Sequence, residues 1–263
     1  MITPDLLNLF SPVNLIVYIL VLTRISGLMV SAPLFSSIPM PVPVKLWFSA
    51  TVAFILYPIV LSSKNLVIVH NMPELTVMLV IEFFIGYLIG FLANFVIEGA
   101  RMCGSIIAIQ MGLSISEALD PATGVSSNEL SRIYVYLTLI VFLASGAYQI
   151  LFMILSDSFS LIPTGIFATF GSNIINSSLV MFGQLFKIAF GLALPIFSVL
   201  LISDVLLGMM NKMMPQMNIY MVALPVKMYI GFALMFAFLS GSCVYIASML
   251  KGYIGAISRL FGA

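Results

Sequence analysis

Charge is what this chain lacks most. Only 7% of its 263 residues are Asp, Glu, Lys or Arg, where soluble domains carry roughly a quarter. A water-facing surface cannot be built from so few charges. With 62% hydrophobic residues and a mean hydropathy of +1.21, the composition is that of an integral membrane protein. The charges that remain nearly cancel, ten basic against nine acidic, and no basic cluster adjoins an aromatic platform. Nucleic-acid binding is therefore excluded.

Metal and catalytic chemistry are equally short of parts. There is one histidine, His70, and there are two cysteines, Cys103 and Cys243, far apart in apolar surroundings. Two buried thiols are the simple reading, since a metal site needs more ligands. The chain has no glycine-rich phosphate loop, no nucleophile elbow and no His-rich metal spacing. Serine or aspartate chemistry would lack a partner base. Neither an enzyme nor a cofactor is expected. No lysine or arginine precedes Arg24, so "MVSA" at 29–32 lacks the basic start of a cleavable signal and is read as part of a retained segment.

What the chain does have is apolar length. Hydrophobic stretches fall at about 13–31, 44–61, 75–97, 131–156, 178–207 and 219–250. A helix needs roughly 20 residues to cross the hydrocarbon layer, so the first two are marginal and the third, fourth and sixth are long enough. Pro33, Pro39, Pro41 and Pro43 force the first connection into an extended or turned path. Pro195 should kink the fifth stretch or divide it into half-helices, and Pro225 stands near the start of the sixth. "DSFSLIP" (157–163), "GSNIINSS" (171–178) and "NKMMPQMN" (211–218) read as connections. Short connections make antiparallel hairpins, so the expected fold is an all-α, polytopic membrane protein of long helical hairpins with kinked helices.

Lysine and arginine fail to orient it. Six spans put both termini on one side, which Lys251 and Arg259 would make cytoplasmic, while Lys45, Arg101 and Lys212 favour the alternate loops. Either one stretch is re-entrant or some helices do not cross the bilayer individually.

Five charges interrupt apolar runs: Arg24, Glu82, Lys187, Asp204 and Lys227. Each costs about 2.5–3.5 kcal/mol at a bilayer centre, so each should face protein or water. Two readings are open: a proton or ion path through Glu82 and Asp204, or structural ion pairs between hairpins. Glu98 and Arg101 stand three apart and can pair on one helix face. The Gly86–Gly90 step permits close helix approach. Six methionines crowd 209–221 (Met209, Met210, Met213, Met214, Met217 and Met221), suited either to an adaptable interface or to packing.

"AIQMGLSISEALDP" (108–121) is the odd stretch, a loosely polar segment between two that could bury themselves in lipid. Gly112 gives backbone freedom and Asp120-Pro121 ends the segment. Together with "RISGLMVSAPLFSSIPMPVPVKL" (24–46), "GSIIAIQMGLSISEALDP" (104–121), "DSFSLIPTG" (157–165) and "LGMMNKMMPQMNIYMVALPVKMYIG" (207–231), it resembles the FliR family of flagellar biosynthesis proteins. The likeness covers nearly the whole chain in order. It departs at Ala108, where the family favours glycine, at Ile115-Ser116, where it favours Phe-Ala, and at Ala147, where a histidine often stands.

The resemblance implies a non-enzymatic core subunit of the flagellar type III protein export gate, passing unfolded flagellar proteins across the bacterial inner membrane at the basal body. It implies assembly in a hetero-oligomer with FliP-like and FliQ-like subunits, beside FlhB-like and FlhA-like components and membrane lipid. One membrane-integrated domain would comprise a FliP-like part (about 1–165) and a FliQ-like hairpin (about 166–263). Residues 106–122 would form a re-entrant loop plugging the channel, with Ile106, Ile109, Met111, Leu113 and Ile115 as apolar bulk. Gln110, Gly112, Ser114, Asp120 and Pro121 complete that loop. Met213, Met214, Pro215, Gln216 and Asn218 would form a turn against a neighbouring subunit. The competing class is an ion-coupled small-molecule transporter, built on Glu82, Asp204 and the Pro195 break.

Overall fold

The computed structural model describes residues 12–38, 40–62, 71–113, 128–162, 172–214 and 219–261. Every element among them is a helix: α1 (Pro12–Ser31), α2 (Pro33–Ser37), α3 (Val42–Ser62), α4 (Met72–Gln110), α5 (Asn128–Ala144), α6 (Ala147–Leu161), α7 (Ser172–Met213) and α8 (Ile219–Phe261). In lipid each backbone N–H and C=O must be satisfied within the protein, which a helix does along its own length. Among the described residues, five helices are long and apolar enough to span a membrane, or six if α5 and α6 count as one interrupted span. The protein is thus an all-α, multi-pass membrane protein, as its composition requires.

Helix ends follow local chemistry. Pro33 occupies the first turn of α2, where its missing N–H costs nothing. Glu74 sits in the first turn of α4, against the positive end of the helix dipole. The fourth apolar stretch, expected as one helix, is broken at Ser145–Gly146, with Gly146 at φ 69°. A side chain there would be strained, so this glycine permits the break.

One other expectation is narrowed and one corrected. Of the kink or division expected at Pro195, the division is absent, because α7 runs unbroken through it for 42 residues. The polar run 172–178 is not a loop but the first turns of α7. At ~1.5 Å per residue, α4, α7 and α8 are each about twice as long as ~30 Å of hydrocarbon. Polar residues in their outer turns therefore need not end them.

The chain forms two compact units. The first comprises residues 1–94, 146–181 and 252–263. Here α1 and α3 run antiparallel, with Tyr18 donating to the Ala50 carbonyl (3.3 Å) and Tyr57 to the Asn14 carbonyl (3.3 Å). The two tyrosine rings meet edge-on at 5.8 Å. α1 and α4 run in the same direction and cross at their glycines. A Cβ on Gly27 would strike the Phe83 carbonyl, one on Gly86 the Arg24 carbonyl, and one on Gly90 the Ser31 hydroxyl. Backbone this close leaves no room for any side chain, and the Ser31 hydroxyl donates across the gap to the Tyr87 carbonyl at 2.8 Å.

The second unit holds residues 95–145 and 182–251. α5 packs antiparallel on α4 where Gly104 lies against Ser131, and the Ser105 and Ser131 hydroxyls are hydrogen-bonded at 2.9 Å. Ile97, Val135 and Leu139 bury the same contact higher up. α4 runs alongside α7, with Phe95 on Phe182 at 5.8 Å and Gly99 against Leu185 and Ile188. α7 and α8 pair as an antiparallel hairpin, in which Tyr245 fills the space over Gly191.

Gly86 and Gly183 make a controlled comparison. Alanine is intrinsically better than glycine in a helix by about 1 kcal/mol. Gly183→Ala, which meets open space, should raise the thermal unfolding midpoint of the detergent-extracted protein or leave it unchanged. Gly86→Ala should lower that midpoint and the folded yield; equal behaviour of the two variants would contradict the close crossing.

Candidate functional site

Charges inside a membrane protein mark its costly positions, and here they form two groups of different character. In the first unit Arg24 is 0% exposed and Glu82 1%. Arg24 Nε donates to Glu82 Oε2 at 2.5 Å, Nη1 to the Ser158 hydroxyl at 3.2 Å and Nη2 to the Ile162 carbonyl at 2.9 Å. Its guanidinium carbon also lies 4.2 Å from the centre of the Phe159 ring. One cation thus joins α1, α4 and the end of α6, where the exposed helix carbonyls are partly negative. The planar guanidinium spreads its donors over three nitrogens in fixed directions, where lysine would present a single nitrogen.

In the second unit Asp204 on α7 pairs through Oδ1 with the Lys227 ammonium on α8. Its Oδ2 accepts a 2.6 Å hydrogen bond from Gln110 Nε2, on the last residue of α4. This cluster is only half-buried, with the Asp204 side chain 38% exposed. It lines a cavity of about 260 Å³ together with Ile109, Gly112, Leu207, Asn211 and Leu224.

The chain leaving α4 is shaped beside this cluster. The Met111 N–H closes on the Ile107 carbonyl (2.9 Å) and the Gly112 N–H on the Ile109 carbonyl (3.0 Å). Gly112 is left-handed at φ 80°, the conformation that ends a helix and that glycine adopts without strain. Met111 is fully buried and fills the space over Gly231, while Leu224 lies over Gly112.

A family model described as "Bacterial export proteins, family 1" matches residues 15–252. The chain belongs to this family. It is 32% identical over 216 residues to the flagellar biosynthetic protein FliR of Escherichia coli strain K12, covering 82% of this chain and 81% of that one. To the protein of the same name in Bacillus subtilis strain 168 it is 28% identical over 225 residues, 85% and 86% of the two chains. To the surface presentation of antigens protein SpaR of Shigella flexneri it is 31% identical over 169 residues, 64% of each. The resemblance to the FliR family read from four sequence segments is borne out.

Within this export-family fold, the sequence-derived residues fall out unevenly. Arg24 and Glu82 are buried and paired, and Asp204 and Lys227 are paired but half-exposed. Lys187 is exposed on α7, not buried, because it lies on a helix face that no other described part of its unit covers. Glu98 and Arg101 pair on the α4 surface at 3.3 Å. Both cysteines are free, Cys103 buried and Cys243 half-buried.

Of the segment expected as a loop from 106, residues 106–110 are helical, and the turn comes at Met111–Gly112. Ile109 is exposed and Ile106 half-buried, whereas Met111 is committed to its own chain against Gly231. Ser114, Ile115, Asp120 and Pro121 lie outside the described residues, as do Pro215, Gln216, Asn218 and His70. Met213 ends α7 and Met214 follows it, both exposed, and Met209, Met210 and Met221 are exposed too, so these methionines do not fill this chain's core. Ser158, the Ile162 carbonyl and Phe159 were missed as Arg24 partners; nothing local in "DSFSLI" announces them.

Removing one member of the buried pair strands the other. Glu82→Leu should cost about 3–5 kcal/mol, read as loss of folded protein in detergent, and adding Arg24→Leu should recover much of it. Asp204→Asn, at a half-exposed pair, should cost less than about 1 kcal/mol of stability. Equal losses at both positions would contradict the distinction.

Proposed function

We propose that the protein is a non-enzymatic subunit of the flagellar type III protein export gate in the bacterial inner membrane, and that the chain leaving α4 helps to close its channel. The export part of this reading rests on membership of the bacterial export family and on likeness to FliR and SpaR proteins. The closing part is carried by one observation. α4, a 39-residue apolar helix, stops abruptly at a left-handed glycine, with Ile109 62% exposed beside it. Irregular backbone at membrane depth is stable only against protein or beside water, so the turn at Met111–Gly112 belongs in an interface or beside a channel.

The partners follow from the same reading: FliP-like and FliQ-like subunits around it, FlhB-like and FlhA-like components beside it, unfolded flagellar proteins as cargo, and lipid. Broad apolar faces remain open for subunits or lipid, including Trp47 and Phe54 on α3 and Phe190, Val205, Tyr229 and Phe236 on α7 and α8. The two-part organisation is retained in this proposal, with residues to about 165 as the FliP-like part and the α7–α8 hairpin as the FliQ-like part. The exposed methionines near the tip of that hairpin suit an adaptable contact with a neighbour.

The transporter reading loses its footing. Glu82 and Asp204 are each held in an ion pair, and α7 is not split into the half-helices that a midplane ion site uses.

The test is a deletion that spares the helix. Removing residues 113–118, in cells that express the whole export apparatus, should leave the complex assembled and make the membrane permeable to small ions. An assembled complex in a membrane that stays tight would remove the closing role from this segment.

A further inference from the structure

Lys187 is a cation that the fold leaves unanswered. It is exposed on α7, and no other charge stands between Ser172 and Ser203 of that helix. At ~1.5 Å per residue it lies roughly 22 Å from the start of α7 and roughly 39 Å from its end. Lys45 and Lys212, by contrast, occupy the first turn of α3 and the last turn of α7. Every ion pair among the described residues uses another cation: Arg24, Arg101, Arg132 or Lys227. α7 buries Leu185, Leu192, Ile196 and Leu200 against its own chain, and the helical repeat puts Lys187 on the opposite side. Around it that side is apolar. Val180, Leu194, Leu201 and Val205 are exposed, and the Ser198 hydroxyl is turned back onto the Pro195 carbonyl.

An ammonium on such a face needs a counter-charge. Hydrocarbon solvates it poorly, and four aliphatic neighbours are a poor lining for a water-filled passage. Gly183 adds a second observation. It lies one turn before Lys187 on the same side, and a Cβ there would meet nothing within 4 Å. That gap admits another backbone closely, as small residues do between membrane helices. We propose that Lys187 is one half of an ion pair between subunits: its face of α7 takes an apolar helix of a neighbouring export subunit, which carries an aspartate or glutamate level with it. The inference rests on the reading that this chain works inside a hetero-oligomer, and it names the chemistry that one neighbour must have. Apolar area supplies the contact. The ion pair fixes its register, because a slip of one turn would strand both charges. It also selects the partner, since an apolar helix without the acid would leave the lysine unpaired.

The test is made in cells that carry the complete apparatus. A carbodiimide joins a lysine amine to a carboxylate in contact with it, with loss of water, and mass spectrometry of the extracted complex identifies the joined peptides. Lys187 should be joined to an Asp or Glu of another subunit. Lys187→Met keeps the length and removes the charge. It should lower the amount of assembled complex about ten-fold or more, as expected when a desolvated carboxylate loses its cation. Lys187→Arg should restore most of it. Neither variant should move the unfolding midpoint of the detergent-extracted chain, because Lys187 is exposed in its own fold. A Lys187→Met complex that assembles like the wild type would put the ammonium against water or a lipid headgroup and overturn the pair. So would an amide formed only within this chain or with a second copy of it, the absence of any amide, or a lowered midpoint. If the wild-type chain enters no complex with other subunits, the export-gate reading fails as well.

Discussion

A guanidinium shut away from solvent must have its donors satisfied and its charge balanced, and that demand brings three helices to one point. Arg24 meets it with Glu82 from α4 and with Ser158 and the Ile162 carbonyl from the end of α6. None of these groups can shift far without stranding the others in a medium that solvates ions poorly. The glycine crossing works with it. Gly86 brings α4 onto the very carbonyl of Arg24, so close backbone packing and charge pairing set the same register between α1 and α4. Sliding one helix past the other by a turn would break both.

The second charged cluster obeys the opposite rule. Asp204, Lys227 and Gln110 are half-open to solvent, border a cavity, and stand where α4 gives way to a turn. A pair in that setting adds little stability, and its geometry matters more than its strength. The molecule thus divides its few charges by exposure. The enclosed Arg24–Glu82 pair fastens helices together, and the half-enclosed Asp204–Lys227 pair sits beside backbone that changes direction.

Legibility in the sequence followed the range of the interaction. The six apolar stretches are visible because hydropathy is a local sum over some twenty residues; five appear as single helices and the fourth as two. The Glu98–Arg101 pair was legible for the same reason, since it depends on residues a turn apart. Helix breakers misled: Pro195 was absorbed within α7, whereas Gly146, flanked by apolar residues, broke a stretch that looked continuous. Long helices with many intact hydrogen bonds tolerate one missing donor, and a left-handed glycine cannot be told from a helical one by its neighbours. The candidate gate segment was legible as an anomaly but placed too early, because 106–110 completes the helix that buries Ile107.

By itself, then, the sequence determined the membrane class, the all-helical fold, the family and the approximate spans, all of which follow from composition, local hydropathy and ordered motifs. Only the tertiary structure decided which charges pair, that Lys187 stays exposed, that Met111 serves its own chain, and that Gln110 answers to Asp204. Those choices join residues 58 to 138 positions apart around Arg24 and 94 apart at Gln110. No local pattern encodes such distances; they exist once packing has set which helix faces meet.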